Sequence, residues 1–429
     1  MRAILFFLPG IFFFISCTNR QIANPKDYNS YLENTNGINQ QIVKADGEIS
    51  FWEKRLERDG ESFVDILKLA SNYAKRFKIT GDVNDLHIAD SFYTRSIQIA
   101  GTTDPEIYFS VAQNDITQHR FKEAWNNISI ADSIGVNPYV LSLVKFDIAM
   151  ELGMNRLALN SIEKLADKNG FDYLIRKAKW EDHNGDLGKA IILMEKALKD
   201  AEITKKESLI LWAKSNLADM YGHAGRVEEA YHKYLEVLQL DSNYYYALKG
   251  IAWISFSHDH NTNEAKRIIN YVLSQTKMPD LYLMLAEIND WEKNEAGKQH
   301  NIKKFISCVQ QPFYGNMYNK YLVTIYTDEL SNYHKALEIA RKEVNNRPTP
   351  ETFSWLAWTY FKMGENQKAY EIAKTNVIGK DFEPTSQCRM AFILKSIGEK
   401  EKADKIFREC LKSSFELGPV TTKQIREII

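Results

Sequence analysis

An alanine returns at a near-constant interval along most of this chain: Ala89, Ala124, Ala158, Ala190, Ala230, Ala265, Ala336, Ala369 and Ala403. The gaps are 35, 34, 32, 40, 35, 71, 33 and 34 residues, the longest covering two units of which one is degenerate. Each alanine sits early in an apolar stretch. Four positions on, most are followed by another apolar or small residue: Ile128, Ile162, Met194, Tyr234, Ile269, Ala340, Ala373 or Phe407. Residues four apart share one face of a helix. A period near 34 with two helical stretches per unit predicts an all-α solenoid, which grows by stacking and encloses no catalytic pocket.

Proline gives the same period independently. Pro105, Pro138, Pro279, Pro312, Pro348, Pro350, Pro384 and Pro419 fall near multiples of the repeat. Proline lacks the N–H that a helix interior uses, so these positions mark joints. Basic and acidic residues number 55 and 56 and are interleaved, for a net charge of −1. No basic stripe stands out, which argues against a nucleic-acid partner.

The amino terminus reads as an address. Met1-Arg2 gives a positive start, and Ala3 to Ile15 is an apolar run broken by Pro9-Gly10. The run is too short for a permanent membrane span and suits a secretory signal. Its end, Phe14-Ile15-Ser16-Cys17, resembles a bacterial lipoprotein signal, in which the cysteine is lipidated and becomes the mature amino terminus. Thr18 is not the inner-membrane retention aspartate, and Thr18 to Ala23 lacks the acidic cluster of surface-exported Bacteroidetes lipoproteins. The resemblance therefore implies an outer-membrane anchor at Cys17 facing the periplasm. On this reading residues 1–16 are the signal, and 17–47 the lipidated cysteine with an Asn/Gln-rich flexible tether. Such a tether would reach on the order of 30 Å. A solenoid over 48–415 and a capping helix over 416–429 complete the layout.

At its clearest places the repeat resembles the tetratricopeptide family. Leu356-Ala357, Tyr360, Gly364, Ala369 and Ala373 keep that family's pattern, as do Met390-Ala391, Leu394, Gly398, Ala403 and Phe407. Leu217-Ala218, Tyr221, Gly225, Ala230 and Tyr234 do so again. Small residues let the two helices of a unit approach, large ones fill the space beside them, and a glycine ends the first helix. The resemblance implies a right-handed α–α superhelix of about ten helix-turn-helix units. Extra residues at Thr80 to Leu86 and a longer connection around 200–206 are expected, and the second helix of the unit from 279 is placed around Ile302, Ile306 and Val309.

No catalytic constellation, nucleotide-binding loop or cofactor motif occurs, so an enzyme is not expected and neither is a cofactor. His258-Asp259-His260 and Glu181-Asp182-His183 look metal-like but lie between helices, where solvated polar residues are usual. Cys308, Cys388 and Cys410 have no C-x-x-C spacing and read as inert thiols. By the family's pattern, first-helix positions line the concave face. Near the carboxyl end these hold Trp355, Trp358, Phe361 and Lys362, then Arg389, Phe392 and Lys395. Rings beside cations suit capture of an extended peptide or helix, so these are the candidate partner-binding residues, and truncating Trp358 is expected to cost binding rather than stability. The resemblance implies a scaffold for other envelope proteins or peptides. A glycan-capturing surface lipoprotein of the SusD family, which also builds on such helices, is the alternative.

Overall fold

A computed structural model describes residues 21–33, 39–100, 104–165 and 168–429. The leader and Cys17 lie outside the described residues. A short helix α1 (Pro25–Leu32) and a long one, α2 (Gln40–Asp59), precede ten helix pairs. The first five are α3 (Phe63–Thr80) with α4 (Val83–Ala100), α5 (Pro105–Thr117) with α6 (Phe121–Ile134), α7 (Pro138–Glu151) with α8 (Asn155–Glu163), α9 (Phe171–His183) with α10 (Leu187–Thr204), and α11 (Glu207–His223) with α12 (Val227–Leu240). The next five are α13 (Tyr245–Ser257) with α14 (Thr262–Gln275), α15 (Asp280–Trp291) with α16 (Glu295–Val309), α17 (Asn319–Thr324) with α18 (Tyr333–Asn346), α19 (Pro350–Lys362) with α20 (Asn366–Asn376), and α21 (Pro384–Ser396) with α22 (Lys400–Cys410). Helix α17 runs on into a π-helical turn at Ile325–Glu329, and α23 (Ser414–Ile428) ends the chain. No strand occurs among the described residues. The fold is the expected solenoid of helical pairs.

The alanines explain the pairing. From the second unit on, the N–H of each donates to the residue that opens the second helix, as Ala124 does to Arg120, Ala265 to Asn261 and Ala403 to Glu399. All nine are buried. A larger side chain there would push the first helix away. The one unit without an alanine has Lys298, whose ammonium reaches out to Asp290 and Glu329 at 3.0 and 2.7 Å. The second residue before each second helix is left-handed in all ten units: Gly81, Gly153, Gly185, Gly225, Gly364 and Gly398, but also His119, His260, Lys293 and Ser331, with φ between 50° and 92°. The turn geometry is thus common to every unit, and glycine is only its cheapest occupant.

One expectation about spacing is corrected. The extra residues at Thr80 to Leu86 lengthen α3 and α4 to 18 residues each, but the residues around 200–206 are not a longer connection: they extend α10 to 18 residues, with α11, 17 residues long, starting at Glu207. The tether is also corrected. Residues 25–32 are helical and clamped to the solenoid, and α2 begins at Gln40 rather than at 48. Tyr28 and Leu32, one helical turn apart, are both buried, an apolar pair that the surrounding Asn and Gln obscure.

The solenoid closes on itself after six units. The turn inside each early unit stacks on a joint between units one superhelical turn later. Lys277 N–H donates to the Thr80 carbonyl at 2.7 Å, and its ammonium meets Asp82 at 2.5 Å. Lys122 reaches the Asn345 carbonyl at 2.7 Å, and Arg347 meets Glu151 at 3.3 Å. Gly153 lies under the Pro348 carbonyl and Gly185 under the Phe382 ring. In the same register, Gln41 at the start of α2 reaches Asp241 at 2.6 Å. The result is a two-layered spool with a lumen rather than an open crescent.

Candidate interaction surfaces

The aromatic–basic cluster expected to face a partner is instead the seam between the last units. Trp355 and Trp358 are 2% and 8% exposed, and Arg389 is 7% exposed. The Trp358 indole N–H donates to Asp328 at 3.0 Å, its ring stacks on Phe361 at 5.0 Å, and Phe392 tilts against it at 5.8 Å. Lys362 closes a pair with Asp328 at 3.0 Å, Arg389 donates to Thr324 Oγ1 at 2.7 Å, and Lys395 donates to the Ile428 carbonyl at 3.0 Å. The structure does bring the seven residues to one region. It spends Trp355, Trp358 and Arg389 on packing, so only the partly covered Phe361, Lys362, Phe392 and Lys395 remain within a partner's reach. The first-helix spacing that suits a groove also suits a helix–helix seam, which is why sequence did not separate them.

The lumen is lined by the first helices of the middle units and is polar. Tyr246 and Tyr321 stay 42% and 41% exposed. Tyr246 donates to Asp219 at 2.7 Å, Lys249 pairs with Asp280, and Lys320 with Glu351 at 3.1 Å. Carboxylates outnumber their cations here. Burial, helped by Glu416, pushes the Glu383 carboxyl up to about 7 despite Lys320 nearby. Burial, with Asp290 adding to it, takes Glu287 up to about 8. The Asp182 and Glu416 carboxyls are raised by burial too, with His223 opposing the shift in both.

Part of this wall is covered by the chain's own carboxyl end. Helix α23 is broken at Gly418 (φ 77°) and Pro419, and the hook before the break crosses α11, α13 and α15. The Phe415 carbonyl accepts from Trp253 Nε1 at 3.0 Å and Ser257 Oγ at 2.7 Å. The Phe415 ring lies on Gly222, where a Cβ would stand 2.6 Å from it, and Glu287 lies against Gly418. The expected capping helix is therefore cap and plug at once. Beyond Gly418, Ile425 joins Phe407 and Cys410 in the core of the last unit.

A second surface was missed by sequence. Asp259, in the expected metal-like cluster, accepts the backbone N–H groups of Ile22 and Ala23 at 2.9 and 2.8 Å, and His258 Nδ1 lies 2.8 Å from it. His260 stacks on Trp291 at 5.4 Å. From there the segment follows the outer groove between α12 and α14. Asn24 N–H donates to the Tyr231 hydroxyl at 3.0 Å, the Tyr28 hydroxyl to Glu264 at 2.8 Å, and Arg267 to Asn29 at 2.6 Å. In the other cluster Glu181 pairs with Lys177 at 3.0 Å. No group of three or more acidic, His or Cys side chains among the described residues has metal-holding geometry. Cys388 and Cys410 are free and buried, and Cys308 is free. No helix among the described residues is long and apolar enough to cross a membrane.

A solenoid of paired helices is the architecture of tetratricopeptide-repeat proteins, folds that generally mediate contacts between proteins. The tetratricopeptide repeat model matches residues 384–416, the unit of α21 and α22. No curated protein matches the chain. Among solved structures it is similar to a tetratricopeptide repeat protein from Parabacteroides merdae ATCC 43184, at 18% identity over 60% of this chain and 96% of that one, TM-score 0.34. It is similar to human IFIT1, in a dimer with PPP-AAAA, at 14% identity over 73% and 72% of the two chains, TM-score 0.45. Yeast Tom70 matches at 14% identity over 94% of this chain and 89% of that one, TM-score 0.32.

Proposed function

We propose that this protein is a non-enzymatic adaptor of the bacterial cell envelope, anchored in the outer membrane by lipid on Cys17, facing the periplasm, and holding other envelope proteins or peptides on its inner wall. The observation that carries the reading is the hook at residues 414–418. There α11, α13 and α15 already bind a turn of helix and the Gly418 kink that ends it, with two side-chain donors on one backbone carbonyl and a glycine-floored notch for one ring. Side-chain donors on a peptide backbone, with a recess for an anchor residue, are how helical grooves take peptide segments. Tyr246, near the start of the same α13 that holds the hook, and Tyr321 on α17 keep exposed rings for a partner.

The experiment uses a photo-crosslinking residue at Tyr246 or Tyr321, with Ile192 on the outside as control (53% exposed). Irradiation in intact cells is expected to join the inner positions, but not Ile192, to a discrete envelope protein. A synthetic peptide of residues 414–419 is expected to bind the Phe415→Ala protein and to compete for that crosslink. Crosslinks confined to Ile192, or none at either tyrosine, overturn the reading.

A further inference from the structure

We infer that the spool stands with one particular end on the membrane: the end that carries Asp259 and the inner turns of the sixth and later units. The inference rests on the lipid anchor proposed above and on three structural observations.

The first is where the amino-terminal segment is pinned. Both oxygens of Asp259 hold backbone N–H groups, of Ile22 and Ala23, and the Tyr231 hydroxyl holds the next. Tyr28 is fully buried five residues on. Only four residues lie between Cys17 and Ile22. A fully extended chain gains at most about 3.4 Å per residue, so Cys17 stands no more than about 17 Å from Ile22, whose N–H Asp259 holds. A 30-residue tether would have left the orientation open. A leash this short does not.

The second is the direction of the segment. It enters at Asp259, on the turn between α13 and α14, and runs past Glu264 and Arg267 to Gln41, which meets Asp241 at the joint before α13. Its free end is therefore at the turn edge of that unit and its fixed end at the joint edge.

The third is which end of the spool that edge bounds. The turn ends of the first five units, at Gly81, His119, Gly153, Gly185 and the Gly222–His223 end of α11, each face a later segment, at Lys277, Asn316, Pro348, Phe382 and the Phe415–Glu416 hook. The sixth turn has the amino-terminal segment in that place. The turns after it, at Lys293, Ser331, Gly364 and Gly398, have no joint stacked on them among the described residues. They form one open end. The joint at Lys205 and Lys206 bounds the other. With most paired helices at 11–18 residues and a rise of about 1.5 Å each, two stacked layers separate the ends by roughly 40 Å. The partner of the open end is thus the lipid headgroup surface, met through leash length rather than through charge.

The test uses the full chain, produced with its leader and reconstituted into phosphatidylethanolamine–phosphatidylglycerol vesicles carrying an acceptor-labelled lipid. A donor dye is placed on Lys293→Cys or on Lys205→Cys, each in a Cys308→Ser background. Energy transfer is expected to be stronger from position 293 than from 205, with loss of that difference when Asp259→Ala and Tyr28→Ala together release the segment. Equal transfer, or stronger transfer from 205, in vesicle-bound protein overturns the orientation and leaves the anchor standing. Flotation of the Cys17→Ser protein as well as wild type, or an unmodified Cys17 by mass spectrometry, overturns the anchor itself and the orientation with it.

Discussion

At the scale of single residues, the periodic alanines and turn glycines were legible because their constraint is local: one must clear a facing helix, the other must take positive φ. The same turn also holds residues that pay strain. Ser331 sits at φ 50° and Lys293 at 60°. A left-handed residue with a Cβ costs roughly 1–2 kcal/mol, offset in part by the extra freedom of glycine in the unfolded chain. Ser331→Gly is expected to raise stability by about 0.5–1 kcal/mol, read as a higher denaturation midpoint at unchanged slope. The tryptophans illustrate the opposite case. Their spacing fixes a helix face, but whether a neighbour or a partner covers that face is a property of the next unit. With Trp358 buried and bonded to Asp328, Trp358→Ala is expected to cost about 3–5 kcal/mol, in place of the nearly unaltered stability that its sequence position suggests. Unchanged thermal unfolding of that variant would restore the partner-facing reading.

At the scale of elements, the ten pairs could be read wherever alanine and glycine recur. The pair α15 and α16 could not be read in full, because Lys298 replaces the alanine with an aliphatic stem and exports its charge. Helix α1 was illegible for a different reason. Eight residues with two apolar anchors fall below any period a sequence can show, and the partners of the stretch, Tyr231 for Asp27 and Glu264 for Tyr28, lie over 200 residues away. The segment is held by a few directional bonds, so it is sensitive to single atoms. Tyr28→Phe keeps the ring and removes the hydrogen bond to Glu264, a contact to a charged group worth about 1.5–3 kcal/mol. Exchange of the Ile22, Ala23 and Asn24 amides is expected to speed up about 10- to 100-fold, while amides within α13 keep their wild-type rates. Equal acceleration in α13 would mean that the segment is part of the global fold rather than a clamp upon it.

At the scale of the whole molecule, the closure into a spool decides how stability is shared. In an open solenoid each unit touches only its neighbours. Here Arg347 ties the two layers, pairing with Glu343, Glu151 and Glu351 between the rings of Phe121 and Trp355. Arg347→Ala strands the buried Glu343 and is expected to cost about 3–5 kcal/mol, with the two layers then unfolding in separate calorimetric transitions. Such contacts were not legible, since they join loops of unlike composition six units apart. Closure also creates the lumen, and the lumen sets the pH response. Glu287 and Glu383, ordinary at 4.5, rise to about 8 and about 7 because burial disfavours their charged forms. A carboxyl whose folded value is raised binds its proton more tightly in the folded state. It therefore adds stability that is fully present below about pH 4.5 and is lost as pH rises through 7 to 8. The depressed His119 and His183 act in the opposite sense, their contribution falling away as pH drops below their ordinary 6.5. Comparison with a Glu287→Gln, Glu383→Gln protein isolates the carboxyls from the histidines. That variant is expected to match wild type when both carboxyls are protonated, near pH 4.5, and to melt on the order of 1–4 °C higher at pH 8.5. The gap should open between pH 5 and 8 in a melting series. A gap that instead closes with rising pH would mean that lumen cations hold these carboxylates charged.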